Sequence, residues 1–351
     1  MIRPINEYEK CYNEIKIIGR GQFGIVYLIQ HKQNMKEYAA KKINGECQNS
    51  ELDILLKLKH PNVINVYECF RDQNSTIIVM DHCQKGDLWN MIQYRIIEGK
   101  NRGYTQKIVE QWLVQLLMGL AYIHENNILH RDLKSSNILI REDGQLKIAD
   151  FGVAKILSGD QMAKTITGSP FYLSPEITQG LDYSYSSDLW SLGCILFEMC
   201  TLKRAFDGQQ FDQVLQNIQQ RKLQQEILIQ DFQNQTSQET RQYSLELVNL
   251  IQSLLNIDPS KRPQAKELLR SSYIAKIVLQ SFVQINTKQQ DIQKIGQVTM
   301  IQKKAHDKYQ KQMSYVKQLL GNSKDSINAQ SQVQECDSHV ENFFVKKQTT
   351  I

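Results

Sequence analysis

His130-Arg131-Asp132-Leu133-Lys134-Ser135-Ser136-Asn137 sets an acid, an amine and an amide within six residues. Apolar runs flank it, Ile128-Leu129 before and Ile138-Leu139-Ile140 after, and such runs read as buried strand pieces that hold a polar turn still. In that frame Asp132 would accept the proton of an attacking hydroxyl, Lys134 would neutralise a migrating anionic group, and Asn137 would hold a metal ion. The competing reading is an Asp/Asn/Ser-rich surface loop, and three polar residues alone would favour it. The rest of the chain decides between them.

The chain has 351 residues, 41% hydrophobic and 23% charged, enough for a sizeable core in one two-lobed unit or two domains. Residues 1–275 carry 31 basic and 31 acidic side chains, so the net charge of +5 lies entirely in 276–351. That asymmetry suggests an acidic partner for the tail, against lysines that merely solvate a helix. Seven cysteines form no Cys-x-x-Cys pair, which argues against a zinc site or a disulfide framework. The first residues lack an apolar signal core, and no run approaches the ~18 apolar residues of a membrane span. These features predict a soluble, cytoplasmic protein, and nothing marks a nucleic-acid binder.

Upstream, Tyr12 to Ile18 reads as a strand entering Gly19-Arg20-Gly21-Gln22-Phe23-Gly24. Glycines at this spacing let a backbone fold over a phosphate chain, although a dinucleotide site has the same spacing. The β-branched and aromatic run Ile25-Val26-Tyr27-Leu28-Ile29 favours a second strand over the helix a dinucleotide fold requires. Tyr38 to Ile43 is a strand with Ala39 and Lys41 on one face, leaving room for a flat base beside an amine that reaches phosphates. Lys42 is expected in solvent. Glu51 opens a helical period that continues to Lys59, and it is the candidate ion-pair partner of Lys41.

Ile77-Ile78-Val79-Met80 is a buried strand leading into Asp81-His82-Cys83-Gln84-Lys85-Gly86-Asp87, a polar hinge. Backbone groups at Asp81 and Cys83 could bind an adenine edge and Asp87 a ribose hydroxyl, while His82 is expected to face solvent. Apolar positions from Ile108 to Ile123 repeat every three to four residues, a long helix buried on one face. Beyond the turn, 141–145 reads as a hairpin loop, and the strand 146–149 ends in Asp150-Phe151-Gly152, a second metal ligand thirteen residues after Asn137.

Taken together, the glycine loop, Ala-x-Lys, Glu51, His-Arg-Asp, Asp-Phe-Gly and Ser174-Pro175-Glu176 occur in an order that resembles the eukaryotic protein kinases. Lys134 and Gly168-Ser169-Pro170 resemble the serine/threonine branch. The segments 78–83, 168–177 and 187–202 are similar to the NIMA-related (NEK) kinases. The resemblance implies an α+β bilobal kinase fold, with a small mainly-β N-lobe over 12–80, a hinge over 81–87 and a larger mainly-α C-lobe over 88–275. Residues 1–11 would be an extension, 276–320 a helical, coiled-coil-like segment, and 321–351 a flexible tail.

The resemblance also implies roles for single residues. ATP would lie against Ile18, Gly19, Arg20, Gly21, Gln22, Phe23, Gly24 and Val26 from above. Ala39, Lys41, Met80, Asp81, Cys83, Asp87, Leu139 and Asp150 would complete the nucleotide site, with Mg²⁺ (Mn²⁺ as a substitute) on Asn137 and Asp150. Ser169 would bond Asp132 and Lys134, Asp188 would brace the catalytic turn, and Arg262 would pair with Glu176. Phosphate on Thr165, or on its neighbour Thr167, would pair with Arg131 and order the intervening loop. The expected activity is phosphoryl transfer to serine or threonine of proteins. Analogy adds a cytoskeletal, centrosomal, basal-body or ciliary address. A non-catalytic scaffold is the alternative, and its support is the short connection between Lys41 and Glu51.

The tail has Gln at 14 of the positions from 276 and no proline. Apolar positions 309, 313, 316 and 320 have coiled-coil spacing for under two heptads, so a homodimer through the tail and a single packed helix are both open.

Overall fold

The computed structural model describes residues 2–21, 24–44, 49–100, 102–150, 170–222 and 243–278. The chain divides into two compact units, 1–263 and 264–351. The first holds every described element that carries the expected chemistry.

Its N-terminal part is a six-stranded sheet in the order β1-β5-β6-β4-β3-β2. The strands are β1 (Ile2–Pro4), β2 (Tyr12–Gly21), β3 (Gly24–His31), β4 (Glu37–Asn44), β5 (Val66–Arg71) and β6 (Ser75–Met80). The alternation seen at Ala39 and Lys41 is that of a pleated strand. Register sets Ala39 opposite Met80 and Lys41 opposite Ile78 on β6, with Val26 opposite Lys41 on β3. The two elements joined by the glycine-rich turn are both strands, as the β-branched run requires.

Residues 2–11, expected as an N-terminal extension, pack onto the sheet. β1 pairs in parallel with β5, Ile2 opposite Cys69, and the short helix α1 (Tyr8–Cys11) places Tyr8 in the sheet's core with Tyr12, Ile29, Ala40, Phe70, Ile77 and Val79. Arg3 pairs with Glu7 at 2.8 Å and lies 5.2 Å from the Phe70 ring centroid. A three-residue strand containing proline carries too little period to be read in advance.

Helix α2 (Asn49–Lys57) begins two residues before Glu51 and stops two short of the expected Lys59. Lys59 is instead drawn into the loop, where its Nζ donates to Asn65 Oδ1 at 2.5 Å and to the Val66 carbonyl at 2.8 Å.

The C-terminal part is helical. After the hinge come α3 (Leu88–Ile97) and α4 (Gln106–Glu125), then the hairpin of β7 (Ile138–Ile140) and β8 (Leu146–Ile148). There follow α5 (Pro175–Thr178), α6 (Tyr185–Thr201), α7 (Phe211–Gln219) and α8 (Leu245–Leu254). α6 is buried from Ser187 to Cys200, so it is the central post of this lobe. The α4 backbone approaches the hairpin so closely at Gly119 that a Cβ there would sit 2.8 Å from Ile148 Cδ1. The Ile128-Leu129 run is not a strand and is only half-buried, because α4 ends at Glu125 and a left-handed Asn127 turns the chain straight toward His130. No helix among the described residues is long and apolar enough to cross a membrane.

The second unit opens on α9 (Ala265–Arg270), whose start is closed by a reciprocal bond from Gln264 N to Glu267 Oε2 at 2.8 Å. The remainder of the tail, with the coiled-coil spacing read above, lies outside the described residues.

Candidate active site

The catalytic turn is held from below. Asp188, fully buried near the start of α6, accepts the backbone N–H of His130 at 3.1 Å and of Arg131 at 3.2 Å, His124 Nε2 at 2.8 Å and Tyr183 Oη at 2.7 Å. Burial alone would raise the pKa of Asp188, but the His124 and Tyr183 hydrogen bonds outweigh it and hold the carboxyl below its usual range. The anion thereby fixes Arg131 at φ 64°, a left-handed conformation that a non-glycine residue keeps only under such constraint. His130, its pKa lowered by burial, bonds the Ala149 carbonyl through Nε2 at 3.0 Å, and Ala149 N–H returns to the Asn137 carbonyl at 2.9 Å. The turn and the residue preceding Asp150 are thus one hydrogen-bonded unit.

On the upper side of that unit stand the reactive groups. Lys134 Nζ lies 2.9 Å from Asp132 Oδ2. Asn137 donates Nδ2 to the Asp132 carbonyl at 2.7 Å and to Asp132 Oδ2 at 3.2 Å. With its amide hydrogens so placed, Asn137 keeps its carbonyl oxygen as the atom able to ligate a cation. Asp150 also sits at positive φ, 60°, and its Oδ1 is ion-paired with Lys41 Nζ of β4. This pair, 109 positions apart in sequence, brings the sheet and the catalytic turn to a common cleft. Glu51 lies on α2, but its side chain is outside the described set, as are Gln22, Phe23, Thr165, Thr167 and Ser169.

The glycine-rich turn divides its duties. A Cβ on Gly24, at φ 143°, would overlap the Lys42 carbonyl oxygen, so this glycine is required by the approach of β4 itself. Gly21 has nothing within 4 Å of such an atom, and Gly19 meets Val26 at 3.6 Å. Gly24 is therefore required by the sheet itself, whatever lies over the loop. Ile18 is 42% exposed beside this turn, and Arg20 pairs opposite Ile25.

At the hinge, one expectation changes, that for His82, and the other residues gain partners within the chain. Asp81 N–H donates to the Asn65 carbonyl at 3.1 Å, so its carbonyl is the group it can offer an adenine, and the Cys83 carbonyl takes Gly86 N–H at 3.1 Å. The Asp81 carboxylate turns away from the cleft to Lys147 Nζ at 2.9 Å, Tyr67 Oη at 2.7 Å and Asn65 N–H at 3.0 Å. His82 does not face solvent: its side chain is 15% exposed with Nδ1 3.6 Å from Glu37 Oε2, and burial lowers its pKa. Burial likewise pushes the Cys83 thiol up to about 12, so it is no nucleophile. Asp87 caps α3, accepting Asn90 N–H at 2.8 Å and Asn90 Nδ2 at 2.7 Å, and it bridges to Leu139 on the cleft floor. Lys42 keeps 37% of its side chain exposed, as expected, but is also paired: its Nζ lies 2.6 Å from Glu14 Oε1 and 4.8 Å from the Tyr27 ring centroid.

Two groups escaped sequence reasoning. Lys147 is a cation inside an apolar strand, a signal that demands a partner, and Asp81 is that partner. Glu198 is an acid inside an apolar helix; Tyr172 Oη lies 2.7 Å from its Oε1, and Ser135 Oγ lies 2.8 Å from the same tyrosine hydroxyl. Arg262 and Glu176 form the expected buried pair, with Nη1–Oε1 at 2.7 Å and Nη2–Oε2 at 2.8 Å.

A two-lobed fold with two amines, two carboxylates and an amide gathered at the cleft defines a protein kinase domain, and the family model for that domain matches residues 12–274. The chain belongs to the protein kinase family. Among curated proteins it is similar to NIMA-related kinases. It is 35% identical to mouse serine/threonine-protein kinase Nek4 over 75% of this chain and 32% of the relative. It is 34% identical to human serine/threonine-protein kinase Nek5, over 76% and 37%. With mouse serine/threonine-protein kinase Nek11 the identity is 36%, over 73% and 40%. The chain thus spans a third to two-fifths of the length of these relatives.

Proposed function

We propose that this chain is an ATP- and Mg²⁺-dependent serine/threonine kinase of NIMA-related type, transferring the γ-phosphoryl group to hydroxyls of protein substrates. The observation that carries this reading is the Lys41–Asp150 ion pair set beside Asp132, Lys134 and Asn137. The Asp150 carboxylate and the Asn137 amide oxygen are hard oxygen donors, the set that suits Mg²⁺ with phosphate and water completing its shell. Bound there, the cation would neutralise charge on the phosphates. Mn²⁺ would substitute.

The chain's own groups do the rest. Asp132, anchored through Oδ2 by Lys134 and Asn137, orients the acceptor hydroxyl and takes its proton. Lys134 stands against the anionic phosphoryl group as it moves, and Lys41 holds the phosphates that stay behind. Because little covalent work is asked of the protein, positioning and charge account for most of the rate. Ser169 supplies a hydroxyl to the Asp132–Lys134 pair, and phosphate on Thr165 engages Arg131; the sequence pattern supports both. The apolar spacing at 309–320 supports a homodimer through the tail, and kinship with NIMA-related kinases supports a cytoplasmic address at the cytoskeleton, centrosome, basal body or cilium. The scaffold alternative finds no support, since Lys41 is paired with Asp150 despite the short link to Glu51.

The test is incubation of the purified chain with Mg²⁺ and γ-labelled ATP beside Asp150→Ala, followed by phosphoamino-acid analysis. Label on serine or threonine that the variant lacks is the expected result. Absence of any variant-sensitive incorporation overturns the reading.

A further inference from the structure

Below the cleft, Arg204 lies flat against an aromatic side chain, its Cζ 3.5 Å from the centroid of Phe171 and 5.2 Å from that of Trp89. Each member of this stack adjoins a buried anchor. Trp89 follows Leu88, Phe171 precedes Tyr172 and Arg204 precedes Ala205, and those three neighbours are at most 8% exposed. The guanidinium is therefore held in place before any ligand arrives, while its side chain keeps 30% exposure.

Among the described residues its charge is poorly matched. The approach to Asp207 Oδ1 is 3.8 Å, too long for a hydrogen bond, and Asp207 is itself 43% exposed. Glu198, the other acid nearby, already has Tyr172 Oη at 2.7 and 2.8 Å from its two oxygens. A planar fork held against aromatic rings and still partly exposed suits a carboxylate taken in two-pronged fashion.

Position links the stack to the reaction. Ser135 belongs to the catalytic turn, its hydroxyl touches Tyr172 at 2.8 Å, and Phe171 is the next residue. Trp89 stands at the start of α3, which packs on the turn Ser135–Asn137. The stack therefore adjoins the turn that carries Asp132.

We propose that Arg204, clamped between Phe171 and Trp89, is a specificity-determining residue that takes an acidic side chain flanking the phosphorylated serine or threonine of the acceptor protein. This rests on the phosphoryl-transfer reading above.

Two measurements on the full chain test it. In a positional peptide array, the wild type should favour Asp or Glu at one flanking position by about 10-fold in kcat/KM, carried by KM, the size of one charge-assisted hydrogen bond. Arg204→Gln, which keeps an uncharged stem in the stack, should bring that preference close to unity, and Arg204→Glu should invert it toward Lys or Arg. Without nucleotide, anisotropy of a labelled serine peptide flanked by Asp should show tighter binding than its Asn-flanked twin, for the wild type and not for Arg204→Gln. If the wild-type and Arg204→Gln ratios agree, or if Arg204→Gln loses activity uniformly across the array, the proposal is overturned. A chain that transfers no phosphate defeats the enzymatic reading alone, because the Asp-to-Asn binding ratio still decides the role of Arg204.

Discussion

Lys41 on β4 and Asp150, two residues past β8, form an ion pair across the cleft. Their exposures of 15% and 37% mark an interaction open to solvent on one side, so its contribution to stability is small, below about 1 kcal/mol. Its contribution to phosphate positioning is not. Lys41→Met should lower kcat by about 10²–10³-fold, the usual loss on removing one charge-stabilising donor. Its urea midpoint should stay within error of wild type. A large fall in stability would mean that the pair is a structural clamp.

The Asp81–Lys147 pair is of the opposite kind. Lys147 is 5% exposed and bonds Asp81 Oδ2 at 2.9 Å and the Val63 carbonyl at 3.1 Å, tying β8 to the hinge and to the loop after α2. Lys147→Met leaves Asp81 with only Tyr67 and Asn65, and should cost about 3 kcal/mol, the lower end for a broken buried pair. Denaturant unfolding reads this directly. The double variant Lys147→Met/Asp81→Leu should recover part of the loss, since it removes the stranded charge as well. A double variant weaker than the single one would assign the effect to packing.

How much of this was legible in the sequence follows from the range of each interaction. The strands around the glycine turn, the long α4 and the hairpin after Asn137 declare themselves by local period. The order of the cleft residues along the chain named the family without any coordinates. Partner choice outside the family pattern did not show, because it is set by register and by loops. Lys42 looks solvent-facing from alternation alone, yet the neighbouring strand β2 supplies Glu14. At Asp87 the helical run that follows also marks the N-cap of α3, a second role beside the ribose contact that the resemblance implies. His82 sits in a polar stretch and is covered by Glu37 from a strand forty-odd positions earlier. β1 escaped because three residues have no period, and its reason to exist is the open edge of β5.

Arg262 and Glu176 give a prediction in acid. Burial works against ionisation of Glu176, but the two bonds from Arg262 and one from Ser187 outweigh it and hold the carboxyl below its ordinary value of 4.5. A depressed folded-state pKa adds stability that is present above the unfolded value and lost as pH falls through the folded one. Arg262→Lys cannot reproduce the fork and should cost about 2–4 kcal/mol at neutral pH. The cost should shrink as the pH falls below the ordinary carboxylate range in urea titrations, because protonated Glu176 no longer rewards the fork. A cost independent of pH would mean that the arginine acts through its bonds to Asn256, Ser186 and Ile257 carbonyls alone.

Glu198 gives the opposite slope. Burial raises its pKa from 4.5 to about 7, against the hydrogen bonds of Tyr172 and Ser135 and the more distant charge of Arg204. Cys194, whose own pKa burial raises, is the other titratable group close by. Between the unfolded value and about 7 the folded chain binds the extra proton, so stability falls as pH rises through that window and is flat above it. The full penalty is on the order of 3 kcal/mol. Glu198→Gln keeps an oxygen for the Tyr172 hydroxyl and removes the titration. Its melting temperature relative to wild type should therefore rise between about pH 5 and 7 and level off above. A difference that stays constant from pH 5 to 8 would show that this carboxyl keeps one protonation state throughout, with Tyr172 and Ser135 deciding which.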